Sequence, residues 1–433
     1  KRRCVERSRD PDVWLRWYEE LSSGEESPLD ENEEDEEEKN ENIVERSDHE
    51  TDSEIEFSSD VNESPSERDG EQTDNGGSKF YIGKDKTTKW RKECGNVQVR
   101  TRAHNIITHL PGSKGDARNA MLAIDCIKLV ESVAIIRILV CSTNIYIENI
   151  KHRFDGDRDA RLTNETEIRA LIGILFLIGT LRSSRKNARK IWDNSKGNGV
   201  ESCYLAMSEK RFRFLLRCLR FDDITTRAER RELDKLAPIR NVFEIFFANF
   251  QNNFIPSGYL TVDEQLLAFR GRRSFKQYIP NKPAKYGVKM FALIDAKTLY
   301  TFNLEPYVGT QPAGPYKLNN SAEDIVLRLV QPIEGTNRNL TGDNWFSSIP
   351  LTRKLLQQKK ITYIGTMRKN KREIPVEFSP NKQREEKTSF FGFQKDITMV
   401  SYCPKKNKSV ILVSSMHHDN AIDPETGNAK NQI

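Results

Sequence analysis

The sequence predicts an α/β protein in which a mixed sheet, with antiparallel and parallel parts, follows a helical region and an acidic tail. Three observations predict it. Runs such as "DENEEDEEEKNEN" dominate residues 1–79, apolar residues recur with helical spacing from about 117 to 254, and after Pro256 the period changes to two.

The tail comes first. Gly24 to Gly77 holds 23 acidic and 3 basic residues, a net −20. So charged a segment, with so few apolar side chains, cannot offset its ordering entropy, and residues 1–79 are expected to be disordered. The stretch "VWLRWYEEL" at 13–21 is a short amphipathic exception. Its Trp14 and Trp17 make it a candidate for docking on a protein partner, against the plainer reading of a stray helical turn.

In the helical region, "ALIGILFLIG" at 170–179 follows Arg169 and is too short to span a bilayer, so it reads as a buried core helix. In "MSEKRFRFLLRCLRFDD", Ser208 is a natural N-cap, and Phe212, Leu215, Leu216 and Leu219 fall at i, i+3, i+4 and i+7. Arg213, Arg217 and Arg220 share another face, either a stripe for a phosphate backbone or an ordinary solvated surface. A further helix is expected to begin at Pro238 and bury Ile239, Val242, Phe243, Phe246 and Phe250.

Beyond Pro256, strands are expected over Tyr259–Leu267, Gly287–Ile294, Leu299–Leu304 and Ile361–Met367, with "DAKT" turning the middle two into a hairpin. "SAEDIVLRLVQPI" and "SIPLTRKLLQQ" read as helices around a short strand at "NLTGD". This order is α/β. Past residue 371, "TSFFGFQKDITMVSYCPKKNKSVILVSS" reads as a small β-meander.

Charge narrows the function classes. Ser78 to Ile433 carries +24, which favours a polyanionic partner, nucleic acid first, with the acidic tail a competitor for the same surface; a lysine-rich soluble exterior is the alternative. The seven cysteines, at 4, 94, 126, 141, 203, 218 and 403, form no zinc spacing and read as reduced, mostly buried thiols of an intracellular protein. No signal peptide is evident. The chain starts at Lys1 and ends in a polar stretch, as a fragment would.

Two acidic motifs carry the candidate chemistry. Asp263 and Glu264, in "LTVDEQLLAFRGRRSFKQYIPNKPAKYG", lie just before a dense group of cations, and Asp343 ends the apolar strand of "NLTGDNWFSSIP", with Gly342 keeping the backbone close. If those strands are neighbours, Asp263 and Asp343 meet. Carboxylates so placed hold the divalent ions of phosphoryl transfer, and hard oxygen ligands suit magnesium. A strand-end Asp is also a common turn or cap residue.

"LTVDEQLLAFRGRRSFKQYIPNKPAKYGVKMFALID", "TGDNWFSSIPL" and "YIGTMRKNKREIP" resemble the core of the piggyBac transposase family and its domesticated transposable-element-derived relatives. The resemblance extends through "EIRALIGILFLIGTLR", over about residues 100–425. It implies a helical dimerisation and DNA-binding domain at 80–256, an RNase H-like catalytic core at 257–371 and a β-rich insertion at 372–433. It also implies cut-and-paste DNA transposition in the nucleus by a homodimer, with no membrane partner, through two Mg2+ (or Mn2+) ions bound by three Asp residues. Asp263 and Asp343 match the first two. The third lies in a "GGVDxxDQ"-like motif that this chain does not reach; Asp419 and Asp423, in "HHDNAIDPETG", are the remaining late candidates and are not promoted to ligands.

The chain as it stands is therefore expected to bind double-stranded DNA without cutting it. The alternatives are a domesticated DNA- or chromatin-binding protein and a scaffold that binds proteins through its acidic tail. Arg270, Arg272, Arg273, Lys276, Lys282, Lys285 and Lys289, with Arg368, Lys371 and Arg372, are the expected DNA-backbone contacts.

Overall fold

The computed structural model describes residues 45–46, 79–95, 103–154, 156, 160–181, 188–195, 199–269, 271 and 273–421. The acidic tail, the Trp14 segment, Arg270, Arg272 and Asp423 lie outside the described residues, apart from Glu45–Arg46, which is extended and pairs in parallel with Gln277–Tyr278.

Helices α1 (Ala123–Val130), α2 (Val133–Ile150), α3 (Glu165–Thr180), α4 (Ala188–Trp192), α5 (Glu201–Ala206), α6 (Glu209–Cys218), α7 (Arg227–Arg231) and α8 (Arg240–Asn253) fill the expected helical region. Their starts follow local chemistry. The Asn164 side chain accepts from the Glu167 amide at α3, and Ser208 accepts from the Arg211 amide at α6. Ile147, Ile150, Leu171, Ile174, Ile178, Phe212 and Leu215 form one core here, while Ile135, Ile136, Leu139 and Ile168 form a second against α8. Val133–Arg153 is long and apolar enough in composition to cross a bilayer; its Ile136 and Ile147 are fully buried among these neighbouring helices.

Several expectations change here. The α3 stripe buries Ile168, Leu171, Ile174 and Ile178 but leaves Phe176 56% exposed, so only one face is core. Helix α8 starts at Arg240, with Ile239 exposed at its N-cap and its phenylalanines half-buried. The arginine stripe of α6 is not a free row: Arg213 pairs with Glu209 at 2.8 Å, and Arg220 lies 3.6 Å over the Tyr146 ring while donating to the Arg217 and Leu219 carbonyls. Cys203, Cys218 and Cys403 are buried, but Cys126 and Cys141 are exposed.

The strands are β1 (Phe80–Ile82), β2 (Lys89–Arg91), β3 (Tyr259–Ala268), β4 (Gln277–Tyr278), β5 (Tyr286–Asp295), β6 (Thr301–Pro306), β7 (Asn339–Gly342), β8 (Thr362–Thr366), β9 (Thr388–Phe393), β10 (Thr398–Cys403) and β11 (Val410–Ser414). They form one large mixed sheet. Its order is β4-β5-β3-β7-β8-β11-β10-β9-β2-β1, with β6 also paired to β5. β3, β5 and β6 are antiparallel; β7 runs parallel to β3 after helix α9 (Ala322–Val330), and β8 parallel to β7 after α10 (Ile349–Lys354). The expected hairpin closes at Asp295, whose carboxylate accepts from the Lys297 and Thr298 amides.

The β9–β11 meander is present, and it continues the same sheet, because β11 pairs antiparallel with β8. Residues 80–91, which the family resemblance put in the helical domain, form the hairpin β1–β2 at the far edge beyond β9. Trp90 explains that placement: its ring is fully buried in the sheet's core, and its indole N–H donates to the Glu373 carbonyl.

Leu340 on β7 is fully buried in the main core, and its strand is bonded on both sides. Leu340→Ala is expected to cost roughly 2 to 5 kcal/mol in denaturant unfolding, as buried Leu truncations do. A loss under half a kcal/mol would contradict this packing.

Candidate metal and nucleic-acid site

The site starts from one register. On the parallel pair β3–β7, Leu340 lies opposite Leu260, Thr341 opposite Thr261 and Gly342 opposite Val262. One residue further along each strand stand Asp263 and Asp343. Side chains alternate across a sheet, so matched positions on neighbouring strands share a face. The sequence reading placed both acids at strand ends, which holds for Asp343. Asp263 sits mid-strand instead, because β3 continues to Ala268 along β5 after its shorter partner stops.

Period-two alternation also splits the acidic pair. Asp263 is exposed, whereas Glu264 points to the opposite face and is 5% exposed. There its carboxylate meets Lys282 Nζ at 3.3 Å. Burial first of all raises the Glu264 carboxyl above the ordinary range; Lys282 and Lys289 pull it back, while Asp263 and Asp343 add to the rise.

Asp343 is held by the turn that follows it. Its carboxylate accepts from the amides of Trp345 (3.0 Å) and Phe346 (3.3 Å), and its carbonyl accepts from the Ser347 amide and hydroxyl. The Ser347 hydroxyl also shares a hydrogen bond with the buried Tyr363 hydroxyl. A Cβ on Gly342 would lie 2.5 Å from that Tyr363 oxygen, so only glycine fits just before the acid. Burial raises the Asp343 carboxyl above the usual range, against hydrogen bonds from Phe346 and Trp345; the Asp263 carboxylate raises it further and Arg368 lowers it. Arg368 donates to Asn344 across from this turn.

The Asp263 carboxylate adds to the raised proton affinity of the buried Asp343, and the two form an oxygen donor set that a hard divalent cation would suit. Among the described residues, no group of three or more His, Cys, Asp or Glu side chains is arranged around a metal position. Asp419 accepts from the Ala421 amide in a local turn.

The expected DNA contacts divide. Lys285 is exposed at φ +51° on the turn between β4 and β5, with half-buried Arg273 and Lys276 just before β4. Arg372 is exposed and Lys371 half-buried beyond β8. Lys282 is committed to Glu264. Lys289 is a correction: it is 3% exposed, with Nζ 5.0 Å from the Phe291 ring centroid, 5.5 Å from Trp345 and 5.8 Å from Tyr307, out of reach of a phosphate. Sequence reasoning counted Lys289 as one more cation. The signal that it turns inward was its place two residues from Phe291 inside an apolar strand.

A family model described as "Transposase IS4" matches residues 128–432. A solved piggyBac transposase synaptic complex with hairpin DNA is similar at TM-score 0.68 and 39% identity, over 74% of this chain and 66% of that one. The chain belongs to the piggyBac transposase family. Human piggyBac transposable element-derived protein 2 is 22% identical over 275 residues, 62% of this chain and 45% of the relative. Human piggyBac transposable element-derived protein 3 is 25% identical over 256 residues, 58% of this chain and 42% of the relative. The chain thus spans a little under half the length of these two curated relatives.

The raised proton affinity of Asp343 has a consequence for stability. An acid whose folded pKa lies above its unfolded value favours the fold below the unfolded pKa, and that contribution is lost as pH rises through the folded pKa. Asparagine keeps an oxygen to accept from Trp345 and Phe346 but carries no charge. With divalent ions chelated, Asp343→Asn is expected to raise the melting temperature near pH 8, with the gain shrinking toward pH 3. A gain that grows on acidification would contradict the sign.

Proposed function

We propose that this chain is a DNA-binding member of the transposase family whose sheet carries an RNase H-like catalytic centre, acting on nuclear DNA, with Asp263 and Asp343 as two ligands for Mg2+ or Mn2+. The observation that carries the reading is the β3–β7 register, which pairs Val262 with Gly342 and so brings Asp263 and Asp343, the next residue of each segment, to the same level of neighbouring strands. The strand order β6-β5-β3-β7-β8, three antiparallel strands followed by two parallel ones, supports it. So does the similarity to a transposase solved with hairpin DNA.

When bound, the metal supplies charge stabilisation for phosphodiester hydrolysis and strand transfer. The chain's own residues do the rest. The turn amides of Trp345 and Phe346 fix the Asp343 carboxylate, and the Glu264 amide donates to Asp263 Oδ1 at 2.8 Å. Arg368, linked to Asn344 in that same turn, supplies a cation near the acids for a phosphate. Arg273, Lys276 and Lys285, in the segment leading from β3 to β5, extend positive charge along the DNA backbone.

Calorimetric titration of the chain with Mn2+ tests the metal reading. Wild type is expected to bind, and Asp263→Asn and Asp343→Asn each to lose at least about tenfold in affinity, the scale of one lost carboxylate ligand. Unchanged affinity in both variants would sink it.

DNA contact has its own test. Duplex binding by wild type is expected to weaken steeply with salt, with a log–log slope of about 0.9 per phosphate contacted. Arg273→Ala/Lys276→Ala/Lys285→Ala should reduce that slope by about 2 to 3. An unaltered slope would place the DNA elsewhere on the molecule.

A further inference from the structure

Lys289 is the feature that neither the fold nor DNA contact accounts for. It sits inside β5, between Val288 and Met290, on the face where β5 packs against the aromatic side chains around Phe291. Phe291 and Trp345 stack at 5.7 Å with an interplanar angle of 8°, Phe346 meets both rings edge-on, and Tyr307 closes the box with its ring edge-on to Phe291. The Lys289 ammonium lies within 6 Å of three of those centroids. Burying an ammonium is costly unless ring faces and a counter-charge compensate. Both are present, because Glu264 lies one pair away on β3, diagonal to Lys289 on the same face.

A methionine would fill this space without the desolvation penalty, and replacing buried charge by an apolar isostere is often neutral or stabilising. The charge therefore needs a reason other than packing. Its position supplies one. Lys289 lies between the segments behind both acids: its Nζ is 5.5 Å from the centroid of the Trp345 ring, which belongs to the turn whose amides hold Asp343, and its position on β5 is diagonal to Glu264, the neighbour of Asp263.

We propose that Lys289 is a positioning residue for the paired carboxylates, clamping the Trp345 turn through its ring face so that Asp343 stays aligned with Asp263 for a divalent cation. This rests on the metal reading above for what the alignment serves, but the clamp itself is a statement about the turn.

The test uses the full chain as wild type, Lys289→Met and Lys289→Arg. Three quantities are measured: melting temperature, Mn2+ affinity, and hydrogen exchange of the Trp345 and Phe346 amides against that of Leu340 as a core reference. Lys289→Met is expected to melt at or above the wild-type temperature, yet to bind Mn2+ about tenfold more weakly and to exchange those two amides about tenfold faster, with Leu340 unchanged. Lys289→Arg, which keeps the charge, should recover part of both losses. Wild-type exchange at Trp345 and Phe346 in Lys289→Met would overturn the proposal, as would a uniform acceleration that includes Leu340 and marks a merely structural role. If wild type bound no Mn2+, the metal reading would fall by itself, and the exchange of the two amides would still decide whether Lys289 clamps the turn.

Discussion

The parallel pairing of β3 with β7 is the constraint on which the rest of the site depends. These strands are separated by seventy residues of chain, including the hairpin β5–β6 and helix α9, and it is their register that brings Asp263 and Asp343 to the same level. A slip by one residue would send one acid to the opposite face. Register is pinned from both sides, by the long antiparallel pairing of β3 with β5 and by the parallel pairing of β7 with β8. Gly342 adds a steric pin, since the Tyr363 hydroxyl occupies the space that any side chain there would need.

The two acids of this pairing have different surroundings. Around one acid, burial first and the Asp263 carboxylate second raise the Asp343 proton affinity, which disfavours the ionised fold. Beside the other, Glu264, Lys282, Lys289 and the ring cluster form a buried polar network under the same strand segment. Such local destabilisation balanced by neighbouring structure is a common property of sites that bind charge. The meander β9–β11 and the hairpin β1–β2 extend the sheet on the β8 side, away from β3, so they enlarge the scaffold without covering the β3 segment that carries Asp263.

Much of this was legible in the sequence because it is local. The helical period before residue 254, the alternating strands after Pro256, the Ser208 cap and the Asp295 turn each depend on residues a few positions apart, and each is present. Asp263 and Asp343 were found from strand patterning and family resemblance, and Gly342 from its place beside the acid. Even the split of Asp263 from Glu264 across the sheet was implicit, since adjacent strand residues must face opposite ways.

Tertiary structure alone decided the remainder, because it depends on contacts between distant segments. A cation in the sequence is the same letter whether it meets solvent, as Lys285 does, pairs with Glu264, as Lys282 does, or lies near a tryptophan contributed by a distant turn, as Lys289 does. Arg213, Arg217 and Arg220 read equally as a phosphate stripe or a solvated face, and for Arg220, just past the end of α6, the Tyr146 ring from α2 decided its partner. Residues 80–91 joined the sheet because Trp90 found its cavity and its hydrogen bond near Glu373, almost three hundred residues away. The sequence determined which elements form and which residue types carry chemistry, through local periodicity; which of those residues face each other was settled only when non-local strand register and burial were fixed.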